Sequence, residues 1–479
     1  MKTLKLYLFA IVIALSSCSE DIMDDINKNV NNPVKVASKF ILTDVMTNTA
    51  FSVTGADYAF YSSVYMEYNV GTWGQMYNAE IRQNEPTSAT TYNNSWVNQY
   101  ANLNNLKVVM EKCSKGGEEV GNYQCLGIAQ VLTAYNLAML TDLMGDVPYT
   151  EAMQPGVIFQ PKIDKQEDIY KVVFAMLDSA IVNLAKTSTF ASLGTQDLIY
   201  GGTSAKWLKA ANGLKARYTM RLSFKNPQYD KVVQYVDAAF ATAADELKFV
   251  YNGSTSVNPF NRFFRDRDYF GASTSLKAKL DARSDPRTAK FFKVYPVAGS
   301  TLLFATNGNP EQVQKKFAIS ALNADTKPTH LQSYHELLFL KSEAYARMTP
   351  AQLANAETAL KSAISAAFIK VGLTAADATT YYTSSVKALF DANPLQEIMI
   401  QKYLAMYDEE AIETYNDFRR LKAMGNNFVI LANSKNATQF PLRFTYGNSD
   451  VTTNNNIKTA YGDGSYVYTE KVWWAGGTR

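Results

Sequence analysis

Apolar residues recur every three to four positions over most of this chain, the period of an amphipathic helix. Trp96, Tyr100, Leu103, Leu106, Val109 and Met110 place one apolar face on a helix over about 94–113. Residues 123–144 are apolar nearly all round, which predicts a helix buried on every side. Gly145 stops it and Pro148 prevents its resumption. Asp164 to Glu167 read as a capping box ahead of Ile169, Val172, Val173, Met176, Leu177, Ala180, Ile181 and Leu184. Ser204 is placed as the cap of a helix carrying Trp207, Leu208, Ala211, Leu214 and Tyr218. A second capping box, Ser333 to Glu336, opens a helix through Leu337, Leu340 and Tyr345. Thr349-Pro350 reads as the start of the next, through Leu353, Leu360 and Ile364. The last strong helical stretch spans about 394–424. Residues 250–275 and 291–329 are rich in Asn, Ser, Gly and aromatics and read as long loops with a few short strands. The fold expected is mainly α: helix pairs with Ala-rich contact faces, stacked like a solenoid. The pair at 333–370 has tetratricopeptide-like spacing, without a clean repeat elsewhere.

The first 32 residues follow other rules. A basic start, an apolar run from Leu6 to Leu15 and the small residues Ser16 and Ser17 form a secretory signal. The run is too short to span a bilayer, which takes roughly 20 residues. Leu15-Ser16-Ser17-Cys18 resembles the lipobox of bacterial lipoproteins, in which the cysteine is lipidated and becomes the new N-terminus. The acidic residues Glu20, Asp21, Asp24 and Asp25 resemble the surface-export signal of Bacteroidetes lipoproteins. The organisation expected is therefore a signal peptide over 1–17, a lipid-anchored polar tether over 18–32 and one large domain over 33–479.

Composition narrows the function. The 479 residues carry 47 basic and 44 acidic side chains, a net charge of +3, and no basic stripe. Nucleic acid is not an expected partner. Two histidines five positions apart, His330 and His335, make neither a zinc site nor a triad with a His base. Asp and Asn clusters occur in loops, but without EF-hand spacing calcium has no support, and no cofactor is expected. Cys113 and Cys125 flank a helical turn, so a disulfide is open to them; two small buried thiols is the simpler reading.

Several segments, in order, resemble the SusD/RagB family of outer-membrane nutrient-binding lipoproteins. They are Asp142 to Ala152 around Gly145-Asp146-Val147-Pro148, Glu167 to Tyr170, Trp207 to Ala210, Asp285-Pro286-Arg287, Ser333 to Ala344, and Asp417 to Arg420. The resemblance implies a tetratricopeptide-like scaffold whose remaining loops form the ligand face. It further implies a cell-surface protein that captures an oligosaccharide or oligopeptide and hands it to a SusC-like TonB-dependent transporter in the outer membrane, without catalysis. A surface glycoside hydrolase and a helical scaffold without its own ligand are the competing readings. The hydrolase needs two carboxylates about 5–10 Å apart in a cleft, and no nucleophile elbow, metal motif or phosphate loop is present.

Most residues in these motifs are the kinds that shape turns or pair charges between helices. Ligand contact is better sought where rings leave helical spacing. Trp73, between Gly71 and Gly74, and Tyr77 form the first candidate group. The second is the run from Asn258 to Phe270, where Asp266, Arg267 and Tyr269 combine a stacking face with hydrogen-bonding groups. Tyr58, Tyr61, Tyr65 and Tyr68 keep helical spacing and are assigned to the core, as are Trp96 and Trp207. Trp473-Trp474 is read as pinning the C-terminus in preference to forming a docking surface for the transporter.

Overall fold

The computed structural model describes residues 35–295, 301–408, 410–434 and 437–479. The signal peptide, Cys18 and the tether lie outside the described residues. The chain enters through α1 (Ser38–Asn48), α2 (Asp57–Tyr65), strand β1 (Asn69–Gly71) and α3 (Gly74–Glu80). Next come α4 (Asn93–Cys113), α5 (Tyr123–Met144), α6 (Gln166–Leu184), α7 (Ser204–Arg221) and α8 (Tyr229–Asp237). From α5 onward each packs on the one before, so α4 to α8 form a continuous stack. The chain then leaves the stack for β2 (Leu247–Phe249), α9 (Pro259–Arg267), β3 (Phe270–Ala272), α10 (Thr274–Asp281), α11 (Thr288–Phe291) and the short strands β4 (Phe292–Lys293), β5 (Ile319–Ser320) and β6 (Thr329–Gln332). It returns as α12 (Tyr334–Arg347), which packs against α8 and continues the stack into α13 (Leu353–Lys370) and α14 (Ala375–Tyr381). Then follow α15 (Lys387–Ala392), α16 (Pro394–Ala405), α17 (Ala411–Ala423), α18 (Asn448–Thr453) and α19 (Asn455–Tyr461). The result is a mainly helical, tetratricopeptide-like array, as the periodicity predicts. Among the described residues no helix is long and apolar enough to cross a membrane.

The helix read as buried on all sides is α5, whose every residue from Cys125 to Met144 except Gln130 is buried. It approaches α6 so closely that a Cβ on Gly127 would lie 2.5 Å from the Leu184 side chain. Gly145 ends it with a φ of +82°, and a Cβ there would lie 2.7 Å from the Arg443 guanidinium. Only glycine meets both demands. Trp96, Trp207 and the tyrosines at 58, 61, 65 and 68 are core residues, as assigned, with Tyr68 beyond the end of α2. Trp474 is fully buried between the Arg221 and Arg419 guanidinium groups and fixes the C-terminus. Cys113 and Cys125 are buried free thiols, which burial pushes up to about 11 and about 12.

Several expected helix starts are corrected. The Asp164 carboxylate accepts from the Tyr149 and Thr150 N–H groups at 2.7 and 2.9 Å instead of capping α6. The first N–H of α6, on Gln166, is taken by Asp146 at 2.8 Å. Ser204 is the first residue of α7, not its cap, and its hydroxyl accepts from Gln124. The box at Ser333 is half made: its hydroxyl accepts from the Glu336 N–H, but Glu336 turns to Arg217. The helix after Thr349-Pro350 begins later, at Leu353. The stretch 394–424 is two helices, broken between Met406 and Glu410, where Asp408 adopts a φ of +81° and pairs with Lys327. The supposed loop 250–275 contains α9, opened by Asn258, whose side chain accepts from the Asn261 N–H, and by Pro259.

Charges are buried where α5, α7, α12 and α17 meet. Arg217 bonds Glu336 through two nitrogens at 2.7 and 2.5 Å. Arg221 pairs with Asp142 and Glu413. Arg420 bonds both oxygens of Glu343, at 2.8 and 2.7 Å, and also Asp417. Burial raises the Glu343 carboxyl, but Arg420 and Arg347 more than offset this and bring it to about 2. Arg420→Met leaves Glu343 and Asp417 short of a buried partner and is expected to cost about 3–5 kcal/mol. Denaturant unfolding reads this directly, and a loss under about 1 kcal/mol would contradict it.

Glu80 does comparable work at the edge of the excursion. Its buried carboxylate accepts from the Gly308 N–H at 2.5 Å and lies near the Gly71 N–H and the Asn433 amide. Burial raises it to about 8, with the Gly308 N–H opposing. Because the folded value lies above the unfolded one, this group's contribution is full below about pH 4.5 and is lost as pH rises through about 8. Glu80→Gln keeps an acceptor but cannot ionise. Wild type is therefore expected to lose more thermal stability than the variant between pH 6 and pH 9, and parallel pH profiles would refute the assignment.

Candidate aromatic binding face

Two of the aromatic segments singled out in the sequence meet. Strands β1 and β3 pair antiparallel, Asn69 with Ala272, Val70 with Gly271 and Gly71 with Phe270. The Thr72 N–H extends the ladder by donating to the Tyr269 carbonyl at 2.8 Å. Trp73 and Tyr269 are thereby carried out of the same end of one small sheet. Gly74 makes the approach possible. Its φ is +54°, and a Cβ on it would lie 2.8–3.3 Å from three atoms of the Tyr269 ring. The ring of Tyr269 therefore rests against the backbone that opens α3, beside Trp73.

The two rings are held differently, Trp73 through its backbone at the start of α3 and Tyr269 through ring contacts. Trp73 caps α3 in an extended conformation and is 39% exposed, the most exposed tryptophan for which a large exposed area is seen. Its carbonyl accepts from the Tyr77 N–H one turn on, which fixes Tyr77, partly buried, on the same short helix. Tyr269 is partly buried and meets Phe263 edge-on at 5.9 Å. Phe263 in turn stacks on the buried Phe60 at 4.4 Å. The surface ring is thus tied to the hydrophobic core by two ring contacts, a rigid mounting that costs little ordering on ligand capture.

The charged candidates sit on α9, which ends just before Tyr269. Asp266 pairs with Arg262 and Arg265 at 3.5 and 3.3 Å, all three well exposed. Arg265 is also tied to Asp325 at 3.1 Å. Arg267 is exposed, and its carbonyl accepts from Gln314 at 2.7 Å. Asp266 and Arg267 are therefore a solvated rim close in sequence to the rings, and Asp266 is already engaged within its own helix. Sequence reasoning missed the residue between them and Tyr269. Asp268 closes α9 in a left-handed conformation and is buried. Burial raises its carboxyl, opposed by the Lys315 N–H and the Tyr295 hydroxyl. Gly74 was read only as a flank of an exposed Trp73; its close approach to the Tyr269 ring was not foreseen. Glu80 and Asn433 lie beneath the same sheet end and tie it to the segments around Gly308 and Leu431.

A half-exposed indole and a supported phenol present apolar faces with polar tips, and the exposed Asp266 and Arg267 lie close to Tyr269 in sequence. Among the described residues no group of three His, Cys, Asp or Glu is placed to hold a metal ion.

Comparison with known proteins agrees with the fold and adds a family. Residues 30–447 match the SusD-like family model described as starch-binding and associating with the outer membrane. Among curated proteins, none matches the chain. A crystal structure of a SusD/RagB family protein from Bacteroides thetaiotaomicron is 44% identical, covers 93% of this chain and 100% of its own, and superposes with a TM-score of 0.87. A chitin-binding SusD homolog from Flavobacterium johnsoniae shares the fold at 20% identity, with 92% of this chain and 99% of its own covered and a TM-score of 0.73. A SusD-like protein from Bacteroides thetaiotaomicron does so at 20% identity, with 92% and 100% covered and a TM-score of 0.75. With more than half its length matched by one family model and a solved relative well above 30% identity, the chain belongs to the SusD-like family.

Proposed function

We propose that this protein is a lipid-anchored, cell-surface binding protein of the outer membrane. It captures an oligosaccharide on the Trp73–Tyr269 face and delivers it to a SusC-like TonB-dependent transporter. The observation that carries the reading is the pairing of two distant aromatic segments into one supported platform through Gly74. Pyranose rings present C–H-rich faces to such a platform, and their hydroxyls find partners at a polar border. The family description names starch binding, and one structural neighbour is a chitin-binding protein, which supports a glycan over a peptide. The lipid anchor rests on Cys18 and the segment around it. The transporter partner rests on family membership.

Binding without turnover is the expected behaviour. Starch and chitin oligosaccharides, titrated calorimetrically into the purified protein, are expected to include a ligand that binds and is recovered intact. Trp73→Ala and Tyr269→Ala should each weaken it about tenfold or more, roughly 1.4 kcal/mol, with unchanged thermal stability for Trp73→Ala. Undiminished affinity in both variants, or release of shortened sugars, would reject the reading.

A further inference from the structure

A capacious cleft is lined by none of the residues of the aromatic face. It holds about 650 Å³ and opens between the β2–β6 ladder, the segment around Leu322 to Pro328 and the C-terminal end of α13. That volume is typical of small-molecule sites. Its body is aliphatic, with Leu322, Pro328, Ile369 and Val371 among the lining residues. Its lining rings are Tyr334 and the buried His330, which is held at Glu246, so it offers less stacking surface than the outer face. Ile369 is 56% exposed at this site, a large aliphatic side chain left to water.

One wall is charged and already ordered. Glu246 is buried and accepts from the Tyr334 N–H at 3.0 Å and from Lys248 at 2.9 Å, and it lies 3.2 Å from the His330 ring. Burial raises its carboxyl, but His330, Lys248 and the Tyr334 N–H bring it down to about 2, so it is a fixed anion whose oxygens are occupied. Lys327 and Lys370 are engaged by Asp408 and Glu410. Lys248 differs. It points out of β2 between the buried Leu247 and Phe249, its side chain is 32% exposed, and Glu246 takes one of its three donors. The wall thus presents donors to the cleft while its acceptors are spent.

We propose that this cleft is a second binding site, for a small amphipathic monocarboxylate: an alkyl body in the aliphatic pocket and a carboxylate on Lys248. It is independent of the glycan face, and failure of either reading leaves the other standing.

Octanoate is the probe, with octanol as the neutral tail and a chitin oligosaccharide as the outer-face ligand. Saturable one-to-one octanoate binding is expected by calorimetry or by shifts in NMR spectra. Ala366→Trp, which fills the cleft from the α13 surface, should abolish it; Ile369→Asp at the mouth should do the same if the tryptophan variant does not fold. Lys248→Met should weaken octanoate at least about fivefold and leave octanol unchanged. Absence of saturable octanoate binding would overturn the proposal. So would equal binding by the cleft-blocking variant or by Lys248→Met, or displacement of octanoate by the oligosaccharide.

Discussion

Arg217, Arg221 and Arg420 are buried among Asp142, Glu336, Glu343, Glu413 and Asp417, side chains drawn from four helices. Taking such charges out of water costs several kcal/mol per ion unless each keeps its partner. The lattice therefore tolerates one register. It holds α12 and α17, late in the chain, against α5 and α7, laid down earlier. Apolar packing alone would allow helices of this kind to slide, since Ala- and Leu-rich faces are nearly interchangeable from turn to turn. The guanidinium–carboxylate pairs are directional, and a shift of one turn would strand every one of them.

That constraint decides where the binding face sits. The chain leaves the stack after α8 and must come back to put Glu336 beside Arg217. The described residues between, including α9 and Tyr269, form an excursion with both ends fixed. Its outer part is tied to the N-terminal region by the β1–β3 pairing and by the Glu80 anchor. The aromatic platform is rigid because it is built across that seam, with Phe263 and Phe60 linking it to the core. The 650 Å³ cleft occupies another part of the same excursion, where β2 and β6 run past the end of α13.

The helices were legible because burying one face forces a 3.6-residue period, and α4, α5 and α6 carry it with few interruptions. The lattice was legible as charged motif residues with a structural role, though not which residue met which. Capping was less legible. Asp164 and Ser204 have the right chemistry for a helix start, but tertiary partners claim them first. The helix α9 was hidden by its charges: Phe260, Phe263 and Phe264 keep helical spacing, and Asn258-Pro259 is a sound opening, yet the alternation with Arg and Asp resembles a loop. Trp73 and Tyr269 could each be named as candidate ligand contacts. Their meeting could not, because it depends on strand pairing between distant segments and on one left-handed glycine. The cleft left no sequence signal, since its walls are ordinary aliphatic and lysine positions.

The central claim is that a sugar is held, unaltered, on the Trp73–Tyr269 platform. A crystal structure of the protein with a bound starch or chitin oligosaccharide tests it most directly. The account requires an intact chain with a pyranose ring stacked on Trp73 or Tyr269. Ordered sugar elsewhere on the molecule with this platform bare, or a cleaved product in its place, would contradict it.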